Sequence, residues 1–138
     1  MTKKDENNVS ALRVIVYGEP SVKTIVPKHG EFEGKEVQLL TFKAFHPVTS
    51  QDDSGSLKHE STWYTVDCFL DGATYLKDHL KDGMVLFVSG AVKTSQYKSK
   101  DGEDRESLTI VAYKISLDLL QKGLKGFSFT RPTKQTKE

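Results

Sequence analysis

From Trp63 to Leu70 the chain alternates without interruption. Trp63, Thr65, Asp67 and Phe69 fall on one side of an extended segment, and Tyr64, Val66, Cys68 and Leu70 fall on the other. A period of two belongs to a β-strand with unlike faces rather than to a helix. The same rhythm occupies residues 10–17, where Leu12, Val14 and Val16 oppose Arg13, Ile15 and Tyr17. It returns in residues 37–45, where Leu40, Phe42 and Ala44 oppose Leu39, Thr41, Lys43 and Phe45. Residues 84–94 and 107–119 are two further β-rich stretches of strand length. A chain built this way must bury one face of a sheet, and Val66, Cys68 and Leu70 mark the face expected in the core.

The segments between these strands set the rest of the layout. Gly18-Glu19-Pro20 reads as the end of the first strand, and residues 22–26 as a short edge strand or loop stopped by Pro27. Residues 46–61, polar and rich in turn formers, are expected to form a mobile hairpin loop. Asp71 is suited to cap a helix over residues 73–81 that presents Ala73, Leu76 and Leu80 inward and stops at Gly83. Gly90 interrupts the fourth strand, the position of a bulge or sharp bend, and Asp101-Gly102 marks a hairpin turn. Five strands with one short helix between the third and fourth match an all-β OB-fold, a five-stranded Greek-key barrel. The expected division is a disordered start over residues 1–8, the barrel domain over 9–120, and a basic flexible tail over 121–138.

Composition narrows the functional classes. Twenty Lys and Arg against nineteen Asp and Glu leave a net charge of +1, so any surface attractive to polyanions has to be local. The single cysteine, Cys68, has no intramolecular partner, and residues 1–8 contain no apolar run of the kind found in a secretory signal. No apolar stretch approaches the ~20 residues of a membrane helix. A cytoplasmic protein without membrane contact is the expectation. His29, His46, His59 and His79 show no zinc-ligand spacing with Cys68, and no nucleophile–base pair or phosphate-cradling glycine loop is present. Neither metal, cofactor nor catalytic residues are therefore expected, and the chain does not read as an enzyme.

One ordered set of residues goes further. Thr62-Trp63, Val66, Phe69, Tyr75-Leu76, Leu80-Lys81-Asp82-Gly83, Val88, Gly90, Lys93-Thr94, Tyr97 and Gly102-Glu103-Asp104-Arg105 resemble the bacterial single-stranded DNA-binding protein family. The similarity runs from Thr62 to Leu119, about half the chain, and residues 10–45 share only the strand pattern. The resemblance implies an OB-fold that wraps single-stranded DNA over aromatic platforms, usually as a homotetramer and occasionally as a dimer, in replication, recombination or repair. Its stacking positions fall on Trp63, Phe69 and Tyr97, with Phe45 or His46 nearest to a fourth. Two departures bear on function. The chain ends Thr-Lys-Gln-Thr-Lys-Glu where the family carries an acidic, hydrophobic tip, so recruitment of replication proteins through such a tip is not expected. Thr65, Asp71, Asp82 and Ser95 stand where the family carries basic groups. Both fit a specialised bacterial relative carried by a mobile element or phage, or a primosomal protein of the same fold.

The residues themselves support this reading. Bases in a single strand expose π-faces, so aromatic groups on a barrel surface can stack any of them without sequence readout. Tyr97 lies between Lys93 and the Lys98/Lys100 pair, an interleaving suited to stacking with phosphate neutralisation. Arg105 across the same hairpin and Lys43 beside Phe45 are further phosphate candidates. The competing reading of the hairpin is that Lys98, Lys100 and Arg105 only balance Asp101, Glu103, Asp104 and Glu106. Tyr64, Val85 and Phe87 are apolar enough for an oligomer interface. Two other functions share this fold: a protein–protein assembly module, and an RNA-binding protein.

Overall fold

The computed structural model describes residues 8–69 and 73–132. Five strands make one closed barrel: β1 (Asn8–Ile25), β2 (Val37–Gln51), β3 (Leu57–Cys68), β4 (Val85–Lys98) and β5 (Asp104–Leu117). They are joined in the order β1-β2-β3-β5-β4, with β4 pairing back onto β1. All pairs are antiparallel except β3 with β5. This is the OB-fold, and closure leaves no long unpaired sheet edge in the barrel wall.

β1 makes closure possible. Its first half pairs with β4 and its second half with β2, and Ile15 faces both Val85 and Phe45. The expected stop at Gly18-Glu19-Pro20 is instead a shift of register between Tyr17 and Ser21, after which the strand continues to Ile25. The Gly18 amide turns out of the ladder to donate to Asp82 Oδ1 at 2.7 Å. Pro20, which has no amide to contribute, lies buried within the shift. Asn8, assigned from sequence to a disordered start, is the first residue of β1 and faces Ala91. Residues 1–7 lie outside the described residues.

The core follows the alternation. Val14 and Val16 of β1, Leu40, Phe42 and Ala44 of β2, Val66 and Cys68 of β3, Leu86 and Val88 of β4, and Ile110 and Ala112 of β5 are all buried. Fully burying a Val, Leu, Ile or Phe side chain contributes about 1.5–3 kcal/mol, so the larger members of this set dominate the stability of the barrel. Gly90 of β4 lies against the backbone of β5. A Cβ there would run into the Val111 carbonyl oxygen and stand 2.8 Å from Ala112 Cα. The ladder shifts at this point, between Ser89 and Gly90, as the bend read from the sequence requires.

Two other expectations are corrected. Residues 46–61 are not a loop, because β2 and β3 extend as a paired ribbon from His46–Thr62 to Gln51–Leu57, closed by a short turn. In that turn Asp52 Oδ1 accepts from the amides of Ser54 and Ser56 and from Ser54 Oγ, at 3.0, 2.9 and 2.7 Å. Beyond the barrel wall both sides of the ribbon meet solvent, so no apolar alternation betrays it. The expected helix over 73–81 is a six-residue 3₁₀ helix, Ala73–Asp78. The backbone after it is taken up in turns: Leu80 N donates to Leu76 O at 2.9 Å, Met84 N to Lys81 O at 3.0 Å, and Gly83 N to the Val16 carbonyl at 2.7 Å. Gly83, at φ +91°, makes the stop that the sequence marked. The proposed cap, Asp71, lies outside the described residues, as do Leu70 and residues 133–138.

The residue that opens the expected tail is held by the barrel. Gln121, placed at its first residue, is fastened to the barrel: its Oε1 accepts from Val85 N at 2.8 Å and its Nε2 donates to Val85 O at 3.0 Å. Among the described residues no helix is long and apolar enough to cross a membrane.

Candidate nucleic-acid interface

Residues directly opposed in a sheet point to the same side, so register assigns the outer face. Tyr17 faces Lys43, Lys43 faces Thr65, Thr65 faces Thr109, and Thr109 faces Lys93. One row of outward side chains therefore crosses all five strands and ends in a lysine on β4. The neighbouring row runs Val85–Ile15–Phe45–Trp63. Along β4, Ser95 and Tyr97 continue the face of Lys93, with Ser107 and Arg105 opposite them on β5.

Where the two rows meet, three rings touch. Trp63 lies with its ring centre 4.8 Å from that of Phe45, tilted by 40°, and 5.2 Å from that of Tyr17, edge-on at 88°. Such pairs contribute about 0.5–1.5 kcal/mol beyond their buried area. The contacts leave much of each outer ring open: Trp63 is 47% exposed and Tyr17 57%. Phe45 is half-buried beneath them. The ring contacts thus leave about half of Trp63 and of Tyr17 open to solvent on the outer face. Tyr97, 50% exposed, stands further along on the β4–β5 hairpin.

Phe69 is half-buried just past the end of β3 and is not part of the three-ring cluster. Tyr17, absent from the sequence-based site, is part of it. Its outward parity with Ile15 was visible in the sequence. Its contact with Trp63 depends on two cross-strand registers that alternation within one strand does not specify. His46 is engaged elsewhere, its Nδ1 donating to the Arg13 carbonyl oxygen at 2.7 Å.

The basic candidates divide by their partners. Lys43 and Lys93 are exposed on the outer face and, among the described residues, pair with no carboxylate. The one acid on the inner part of this face, Asp67, accepts from Thr41 Oγ1 at 2.7 Å. On the hairpin, Lys98 pairs with Asp104 at 3.0 Å, and Arg105 reaches Glu103 at 3.2 Å and Asp101 at 3.8 Å. Asp101 is itself held below the usual carboxylate range, first by the Ser99 hydroxyl and then by the Glu103 amide. Lys100 is exposed at the hairpin tip. Exposed pairs of this kind contribute about 0–1 kcal/mol, so a phosphate can displace them at little cost.

The residues considered for an oligomer interface do not share one surface. Val85 and Phe87 are half-buried and outward on β4, with Phe87 facing Arg13 and Ser116. Tyr64 has the inward parity of Val66 and packs on the core, and burial pushes its hydroxyl up from the ordinary tyrosine value.

Comparison with known proteins agrees with this geometry. Residues 33–118 match the model of the single-strand binding protein family. Among solved structures, a small single-stranded DNA-binding protein from Streptomyces coelicolor superposes with a TM-score of 0.60 at 20% identity, over 81% of this chain and 94% of that one. The Plasmodium falciparum SSB in complex with ssDNA gives a TM-score of 0.56 at 21% identity, over 86% and 97%. A deletion mutant of the single-stranded DNA-binding protein from Thermus aquaticus gives 0.51 at 15% identity, over 81% of this chain and 51% of that one. These likenesses establish the barrel. The family match spans more than half of the sequence, including β2 to β5 with Phe45, Trp63, Lys93 and Tyr97, and on it the chain belongs to the single-strand binding protein family.

Proposed function

We propose that this protein binds single-stranded DNA without sequence preference and without catalysis, stacking bases on the Tyr17–Trp63–Phe45 cluster and on Tyr97. The observation that carries the reading is the cluster itself: three touching rings, two of them about half open to solvent, on the outer face of an OB barrel in a single-strand binding family. Lys43 and Lys93 neutralise phosphates beside the rings, and Lys98, Lys100 and Arg105 engage a strand passing over the hairpin. Phe69 belongs at the margin of this surface.

The bases supply their π-faces and the protein supplies fixed rings, so each stacked base contributes about 1–3 kcal/mol with no requirement for its identity. Few cations surround the rings, so stacking carries a large share of the affinity. Protecting exposed strands during replication, recombination, repair or mobile-element transfer is the role such chemistry suits, with copies assembling as a dimer or tetramer. The test is retardation of a long oligothymidylate, with RNA of equal length and duplex DNA as competitors. Displacement by single-stranded DNA alone is expected. Equal displacement by duplex, or no retardation of the oligothymidylate, contradicts the proposal.

A further inference from the structure

Charge is unevenly divided along this chain. Residues 1–120 hold fifteen Lys and Arg against eighteen Asp and Glu, a net −3, whereas residues 121–138 hold five against one, a net +4. The barrel therefore opposes a polyanion as a whole, and on its hairpin Lys98 and Arg105 are already paired with acids. The excess positive charge lies in the segment that follows β5.

That segment has a defined root. Gln121 closes a two-bond bridge onto the backbone of Val85, and its Nε2 also donates to Asp118 O at 2.7 Å. Val85 belongs to the row that continues through Ile15 to Phe45 and Trp63. At about 4.8 Å per strand, Val85, which the anchor grips, stands roughly 10 Å from Phe45. Two acids flank the anchor, and both accept from backbone amides: Asp118 from Leu120 at 3.0 Å, and Asp82, which shares a groove with Lys122, from Gly18 at 2.7 Å. Beyond the anchor, Lys122, Lys125 and Arg131 are exposed, and among the described residues none pairs with a carboxylate. Between them Phe127 and Phe129 are 68% and 79% exposed. Two bare rings interleaved with three unpaired cations, with no acid from Gln121 to Pro132, repeat the chemistry of a single-strand contact. The groove between this segment and the 3₁₀ helix is walled by Tyr75 and His79 on one side and Lys125 and Phe127 on the other.

We infer that residues 122–132 form a second single-strand contact, in which Phe127 and Phe129 stack bases and Lys122, Lys125 and Arg131 neutralise phosphates. This inference rests on the single-strand reading of the barrel. It extends that reading from one face to a path along the chain: the segment supplies cations that the net-negative barrel lacks. A protein partner would also bury the two phenylalanines, but the acid-free run of cations favours a polyanion.

The test uses the full chain in two exposed-site variants, K122Q/K125Q/R131Q and F127A/F129A, with oligothymidylate binding measured over a series of NaCl concentrations. Each phosphate-bound cation contributes about 0.7 to the slope of log K against log salt on single strands. The triple variant is therefore expected to lower the slope by about 2. F127A/F129A should weaken binding about fivefold or more at fixed salt while leaving the slope in place. If both variants bind like the parent with the same slope, the inference is overturned and a protein becomes the better occupant. Light scattering that shows a changed mass in the weakened variants overturns it as well, since the loss then acts through assembly. Failure of the parent itself to bind removes the single-strand reading, a distinct result.

Discussion

Tyr17 provides a sharp test of the outer face, because nothing in its own strand distinguishes it from an ordinary exposed tyrosine. Replacing it with alanine removes an edge-on ring contact to Trp63 at 5.2 Å and uncovers less than half of a side chain. A tyrosine buries about 150–250 Å² when enclosed, so the change forfeits roughly 70–100 Å², or about 2 kcal/mol at 25 cal/mol per Å². The extended-chain reference makes this an upper figure, and the ring pair adds at most about 1.5 kcal/mol. Against a domain stability of about 5–15 kcal/mol, Tyr17→Ala remains folded, and its binding can be read directly. If the ring stacks a base, affinity for oligothymidylate falls by about 1–3 kcal/mol, roughly 5-fold to 150-fold. Tyr113→Ala is the matched control, since that tyrosine is equally open, at 62% exposed, but lies at the β5 irregularity outside the two aromatic rows. Fluorescence anisotropy of labelled oligothymidylate, with urea unfolding of both variants, separates affinity from stability. Tyr17→Ala binding as tightly as Tyr113→Ala, with both folded, refutes base stacking at this position.

Gly90→Ala should destabilise the barrel by about 1–3 kcal/mol or more, because the added carbon meets the backbone of Val111 and Ala112, which has no rotamer in which to yield. A urea midpoint equal to that of the parent would contradict the close approach of β4 and β5. Acidification should loosen the tip of the β2–β3 ribbon before the barrel. Asp52 is held below the usual carboxylate range, first by the Ser54 hydroxyl and next by the Ser56 amide, so its contribution is present above its unfolded value near 3.8 and is lost as pH falls through the lower folded value. Amide exchange of Ser54 and Ser56 compared at low and neutral pH, after correction for intrinsic rates, checks this, and equal protection at both contradicts it.

The core could be read from the sequence because each wall strand has one covered and one open face. Val14/Val16, Leu40/Phe42/Ala44 and Val66/Cys68 fall inward as their alternation requires. Gly83 and Gly90 were also readable, since each meets a backbone demand that only glycine satisfies cheaply. Where solvent lies on both sides, as in the ribbon from His46–Thr62 to Gln51–Leu57, the strands are held by backbone bonds that leave no trace in side-chain pattern. The continuation of β1 past Pro20 was hidden by residues that commonly end strands. At the site, Trp63 and Phe45 were identified as separate rings. Their contact, and that of Tyr17 on β1 with Trp63 on β3 across β2, are properties of cross-strand register.

Trp63 gives the most direct measurement, since it is the only tryptophan in the chain and sits between Tyr17 and Phe45. Titrating the full protein with a long oligothymidylate should quench its emission to saturation, and added salt should shift the midpoint to higher DNA concentration. Emission that stays unchanged through the titration, with no retardation of the DNA, contradicts single-strand binding on this face.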